Sequence, residues 1–346
     1  MTLADGVLAA MWLGVTAYAL LGGADFGGGF WDLVAGGAER GARTRALIER
    51  SIGPVWEANH VWLIFAIVIL WTAFPSAFAS IASTLYVPLT AAAFGIILRG
   101  SGFAFRKTVE EIPLRRLFGG AFALSSVVTP FFLGTVAGAV ASGRVPPGNA
   151  RGDVFGSWIN PTSMLGGVLA VGVCAYLAAA YLTADAVRAG APDLAEAFRR
   201  RGLVTGVVVG MVALGGIGVL RADARPLFDG LIGRGLALVA ASAIFGALSL
   251  FLLWSRRYVL VRLTAALAVV AVIWGWAAGQ YPYLLEPGLT IREAATDRAI
   301  LQAVLISMSV GAALLLPSLA WLFVLFQRGR EDGVDSTNSR PAPSLL

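Results

Sequence analysis

Three carboxylates stand inside or beside long apolar runs: Asp25, Asp32 and Glu57. An ionised carboxylate at the centre of a bilayer costs about 2.5–3.5 kcal/mol on insertion scales, so such residues face a partner charge, a water cavity or a protein interface. The chemistry open to them is proton carriage. Asp25 and Asp32 are seven residues apart, which places them on one face of an unbroken helix. Glu57 falls in the first turn of an apolar run, where an anion is also favoured simply as the cap of a helix dipole. Proton uptake is the functional reading for Glu57 and Asp25. Asp32, Asn59, Trp56 and His60 are secondary candidates.

His60 is the only histidine and Cys174 the only cysteine. Redox iron and catalytic zinc need several imidazole or thiolate ligands, and this pair cannot supply them. No haem or metal ligand is therefore expected in the chain, and an intrachain disulfide is impossible. Two readings stay open for His60: a hydrogen-bonded packing residue near Asn59, or a group that moves protons. The run Gly22-Gly23-Ala24-Asp25-Phe26-Gly27-Gly28-Gly29 is only superficially a phosphate loop, since no strand precedes it and no Gly-Lys-Ser follows. Small residues in a membrane helix permit close helix contact, and close packing on a partner is the reading here. Trp12, Trp31, Trp56, Trp62 and Trp71 read as interface anchors or core.

These residues must be positioned by membrane helices. Of the 346 residues 58% are hydrophobic and only 13% charged, and the mean hydropathy is +0.79. A water-soluble domain of this size carries far more charge. Backbone groups cannot stay unpaired in lipid, and apolar runs of about 20 residues suit helices rather than barrel strands. Nine spans are expected, at 6–34, 53–72, 77–98, 117–142, 160–184, 202–220, 231–254, 258–279 and 299–326, with breaks at Pro75, Pro146-Pro147 and Pro282. The first is unusually long, and its glycines imply a bend or an interfacial end. Eight spans can divide into two four-helix groups with the ninth outside. The polar tail from 328 to 346 is expected to be disordered.

The net charge of +6 is no nucleic-acid signature, because the basic residues are scattered through short loops. Anionic lipid is the natural counter-charge. Of the 26 Lys and Arg residues, 19 fall in alternate loops and the tail, among them Arg40, Arg43, Arg45, Arg99, Arg106, Arg199, Arg200, Arg256 and Arg328. The positive-inside rule then places the C-terminus in the cytoplasm and the N-terminus outside, which requires an odd number of spans. The start lacks the basic region of a signal peptide, so the first helix is expected to be retained.

Several stretches resemble subunit II of cytochrome bd-type ubiquinol oxidases, the cyanide-insensitive branch included. They are Gly23-Ala24-Asp25-Phe26-Gly27-Gly28-Gly29, Ile52-Gly53-Pro54-Val55-Trp56-Glu57-Ala58-Asn59-His60-Val61-Trp62-Leu63 and Arg99-Gly100-Ser101-Gly102-Phe103-Ala104-Phe105-Arg106. Asn160-Pro161 and Tyr281-Pro282 agree as well, and the likeness runs from about residue 6 to 325. The resemblance implies an all-α polytopic fold of two four-helix bundles and a peripheral helix, in a bacterial cytoplasmic membrane. It implies pairing with a haem-bearing subunit I, which holds haems b and d and the main quinol site, and often with a small single-helix subunit. The complex oxidises quinol and reduces oxygen to water. It is electrogenic without pumping, because chemical protons come from the cytoplasm. Glu57 matches the position implicated in proton delivery, where some members carry Asp, and Asp25 matches a second family acid. His60 stands where others have Gln. The resemblance leaves open a structural quinone or lipid in this subunit. Two other functions fit the residues alone: a proton-coupled secondary transporter using Asp25 and Glu57, and a purely structural assembly subunit. The acids have no counterparts in spans five and six, which argues against the transporter.

Overall fold

A computed structural model describes residues 2–37, 39–52, 56–109 and 111–338. The chain is helical almost throughout. Among the described residues eight helices are long and apolar enough to cross a membrane, and a bent pair makes nine. The first span comprises α1 (Leu3–Ala17), a π-helical turn (Tyr18–Gly22) and α2 (Gly23–Leu33). Thr2 caps α1 by accepting from the Asp5 N–H, while the Asp5 carboxylate accepts from the Thr2 N–H at 2.7 Å. The amphipathic α3 (Ala42–Ile52) follows and buries Leu47 and Ile48.

The second and third spans depart from the sequence expectation. α4 (Trp56–Ala73) ends at Phe74, and α5 (Pro75–Thr84) turns away from it by 118°. Proline at the first position of α5 is compatible with a helix start but lacks the N–H that would continue α4. The break expected at Pro75 is therefore present. The span placed at 77–98 instead begins at Tyr86 and runs to Thr108 as α6, carrying Arg99 and Arg106 inside a helix rather than in a loop. Next come α7 (Ile112–Ala141), α8 (Pro161–Arg188), α9 (Pro192–Asp223), the short α10 (Arg225–Ile232), α11 (Leu236–Trp254) and α12 (Tyr258–Gln280). Asn160 caps α8, its side-chain oxygen accepting from the Ser163 N–H at 2.9 Å.

Between α12 and the last helix lies a two-stranded antiparallel hairpin, β1 (Tyr283–Leu285) with β2 (Leu289–Thr290), followed by one turn, α13 (Ile291–Ala294). Thr290 caps that turn. Its N–H and hydroxyl both donate to the Glu293 carboxylate and hold that carboxyl below its ordinary range. The Thr296 N–H donates to the Ala73 carbonyl, tying this loop to the end of α4. Val7, Ala73, Phe74, Ala77, Leu85, Leu285 and Ile291 form the core beneath it. The last helix, α14 (Arg298–Asn338), packs on α1 and α4 and is the least buried span. It runs on to Asn338, past the expected tail boundary at 328. Residues 339–346 lie outside the described part.

The glycines of the first span do serve close helix contact, and the contacts found are to other helices of this chain. A Cβ built on Gly27 would lie 1.8 Å from the Cys174 carbonyl oxygen of α8, and one on Gly29 would lie 2.1 Å from the Ser126 hydroxyl of α7. A backbone carbonyl cannot step aside as a flexible side chain can. Gly27→Ala is therefore expected to separate α2 from α8 and lower thermal stability in detergent, by about 1–3 kcal/mol or more. Gly37→Ala, with nothing within 4 Å, should leave the melting curve unchanged.

Candidate functional site

The acids of the first span meet arginines of α6 in register. Asp25 and Asp32 are seven apart on α2, and Arg99 and Arg106 are seven apart on α6. Both helices pack on α7, and the long arginine side chains of α6 reach the acids of α2: Arg99 meets Asp25 and Arg106 meets Asp32. Arg99 is fully buried and Asp25 is 4% exposed. The guanidinium grips both carboxylate oxygens at 2.8 Å, donates to the Asp25 carbonyl at 3.2 Å and, through Nε, to the Ser126 hydroxyl at 3.0 Å. Its planar cation lies between the rings of Phe26 and Phe122, 4.8 and 5.0 Å from their centroids. A planar fork of donors with apolar faces suits this slot, and a lysine would not fill it. One heptad further on, Asp32 accepts from Arg106 at 2.5 Å and from Arg45 of α3 at 2.7 Å. Arg45 also donates to the carbonyls of Gly36 and Gly37. Asp32 thereby fastens the α2–α3 connection to α6.

The α4 residues stand differently. Glu57 lies in the first turn of α4 and is exposed, with no ion-pair or hydrogen-bond partner among the described residues. Val61, Ile64, Val68 and Trp71, at steps of three and four from Glu57, are also exposed, at 48–62%. The carboxylate therefore heads an apolar stripe on the outside of this chain. Asn59 faces inward and donates to the Leu21 carbonyl at 3.2 Å, joining α4 to the π-helical turn. His60 packs beside Tyr18 and Phe26, with ring centroids 6.0 and 6.1 Å away. The expected hydrogen bond is absent at its Nδ1, which is sealed from solvent and unpartnered. Trp56 contributes its backbone to the start of α4, and its side chain lies outside the described part. Trp31 is core, its indole donating to the Ala175 carbonyl at 2.8 Å. Trp12 donates to the Ile273 carbonyl at 3.0 Å, and Trp71 is exposed.

Among the described residues no three His, Cys, Asp or Glu side chains come together as a metal site. The site is a set of carboxylates in two electrostatic states: two neutralised by arginine, one facing outward without a counter-charge among the described residues. Sequence reading missed Arg99, because ending the third span at residue 98 placed it in a loop. The matched seven-residue spacings were the available signal.

Leaving one member of a buried pair without its partner is costly, by about 3–5 kcal/mol. Arg99→Leu is therefore expected to reduce assembly and thermal stability sharply. Adding Asp25→Asn to it should restore part of the loss, and a thermal-unfolding double-mutant cycle measures that coupling.

The chain and its fold match known proteins. A family model described as cytochrome bd terminal oxidase subunit II matches residues 3–326. A Bacillus subtilis (strain 168) protein provisionally named a cytochrome bd menaquinol oxidase subunit II is 23% identical over 334 residues, covering 92% of this chain and 94% of that protein. The cytochrome bd-I ubiquinol oxidase subunit 2 of Escherichia coli (strain K12) is 30% identical over 173 residues, 48% of this chain and 44% of its own length. Among solved structures, the bd oxidase from Geobacillus thermodenitrificans matches with a TM-score of 0.74 and 27% identity, over 94% of this chain and 99% of that one. The protein belongs to the cytochrome bd terminal oxidase subunit II family.

Proposed function

We propose that this chain is the non-haem-ligating subunit of a quinol:oxygen oxidoreductase and that Glu57 delivers protons to a haem-bearing subunit packed against α4. The relatives' names supply the complex: they are subunits of menaquinol or ubiquinol oxidases. One observation carries the role of Glu57. It is exposed at the head of an apolar stripe that a neighbouring membrane subunit would cover, whereas Asp25 and Asp32 are held by arginines. A proton carrier must exchange its proton without breaking the fold. Glu57 meets that condition, because nothing described depends on its charge.

Asp25 takes a different part in the same route. Its bidentate pair with Arg99 fixes the spacing of α2 and α6, and the Asn59 bond to the π-helical turn of the same span sets the register of α4. The helix end that carries Asp32, Arg45 and Arg106 faces the cytoplasm in this reading, following the loop charge bias. Moving Arg99 into α6 leaves that bias intact. The haems, when bound, carry electrons to oxygen. They belong to the partner, since a chain with a single imidazole, wedged here between Tyr18 and Phe26, does not fit as the holder of several irons. The work of this chain is to shield that centre, to hold Glu57 at the interface and to pass protons. Quinol and oxygen are met through the assembled complex, and lipid covers the remaining apolar surface.

In the purified complex, Glu57→Gln is expected to leave the haem spectrum unchanged. Quinol-dependent oxygen consumption and proton uptake should fall by roughly tenfold or more, as for loss of a positioned proton-transfer group. Wild-type turnover in a fully haem-loaded variant would identify a purely structural subunit instead.

A further inference from the structure

The first span contains a π-helical turn, Tyr18–Gly22, between two α-helical segments. Turns of this kind are rare and recur at functional positions, because they displace backbone and side chains from the regular ladder. Here the turn brings Tyr18 toward α4. The rings of Tyr18, Phe26 and His60 form a nearly equilateral triangle, with centroids 6.3, 6.1 and 6.0 Å apart. Two polar atoms on this triangle are sealed from solvent and bond to nothing among the described residues: the Tyr18 hydroxyl and His60 Nδ1. Asn59, the neighbour of His60, is satisfied by the Leu21 carbonyl, so it does not serve them. Arg99 lies over the Phe26 ring and is committed to Asp25, Ser126 and the Asp25 carbonyl.

An orphaned hydroxyl and an orphaned ring nitrogen each carry a desolvation cost, and native proteins rarely leave such groups unserved; here they sit on rings whose centroids are 6.0 Å apart. A hydroxyl both donates and accepts, and a ring nitrogen does one or the other according to tautomer. Water is the small molecule that complements both without a charge of its own, and buried waters characteristically bridge such groups. We propose that Tyr18 and His60 bind one internal water molecule, a site between the π-helical turn and α4. The water orients the imidazole three residues from Glu57, on the neighbouring position of the same helix face. The site stands on the two orphaned atoms and does not depend on Glu57 carrying protons.

A thermal-unfolding cycle on the purified complex tests it, because the sign of the effect differs between a bridged and an unbridged pair. With a shared water, Tyr18→Phe strips His60 of its partner and His60→Leu strips Tyr18, so each lowers the melting temperature. The double variant then loses clearly less than the two losses added together, because neither orphan remains. If Tyr18→Phe raises the melting temperature, or if the two losses simply add, the site does not exist. Should either of those variants fail to assemble, His60→Gln decides. Glutamine can still meet the water, so stability near wild type supports the site, and a failure to assemble like that of His60→Leu overturns it. The Glu57→Gln variant is read in proton uptake rather than in stability, so the two proposals fail separately.

Discussion

The structure depends on neutralising carboxylates where water cannot. Asp25 is buried and would be untenable as a lone anion, and Arg99 would be equally untenable as a lone cation. Together they hold each other through two parallel hydrogen bonds, with the remaining donors placed on Ser126 and a backbone carbonyl. Such a pair contributes little net stability relative to a hydrophobic replacement, and its main effect is to specify geometry. Here it ties α2 to α6, both of which pack on α7, and Asp32 repeats the tie one heptad later with Arg106 and Arg45. The glycine faces of α2 then allow α8 and α7 to approach at backbone distance.

This constraint separates the roles of the acids. A carboxylate that holds two helices in register is poorly suited to losing and regaining a proton in every turnover. Glu57 carries no such duty and stands at the surface of the chain, heading a stripe of apolar side chains. The proposed function is then a division of labour, in which a partner subunit holds the iron and this chain, with its single imidazole, presents Glu57 beside it.

Much of this was legible in the sequence. Apolar runs gave nine spans, the small residues of the first span gave its close contacts, and Pro75 gave the break after α4. The conflict lay at α6. Hydropathy falls at Arg99, so a window on local composition ends the helix there, while the charge is in fact cancelled by a residue 74 positions away. A pairing of that kind belongs to tertiary structure and leaves only an indirect trace, the equal spacing of Asp25–Asp32 and Arg99–Arg106. The 118° turn between α4 and α5 was likewise out of reach, because a proline announces a break but not its direction. The orphaned atoms of Tyr18 and His60 depend on a π-helical turn that no residue pattern in this span announces.

The most direct measurement is carboxyl reactivity, residue by residue. A membrane-permeant carbodiimide can be applied to membranes holding this chain alone and to membranes holding the assembled oxidase, with modified acids read by mass spectrometry. Glu57 should react in the chain alone and be protected in the complex, while Asp25 stays unmodified in both. Modification of Asp25, or equal modification of Glu57 with and without the partner, would contradict the division between a locked acid and an acid at the interface.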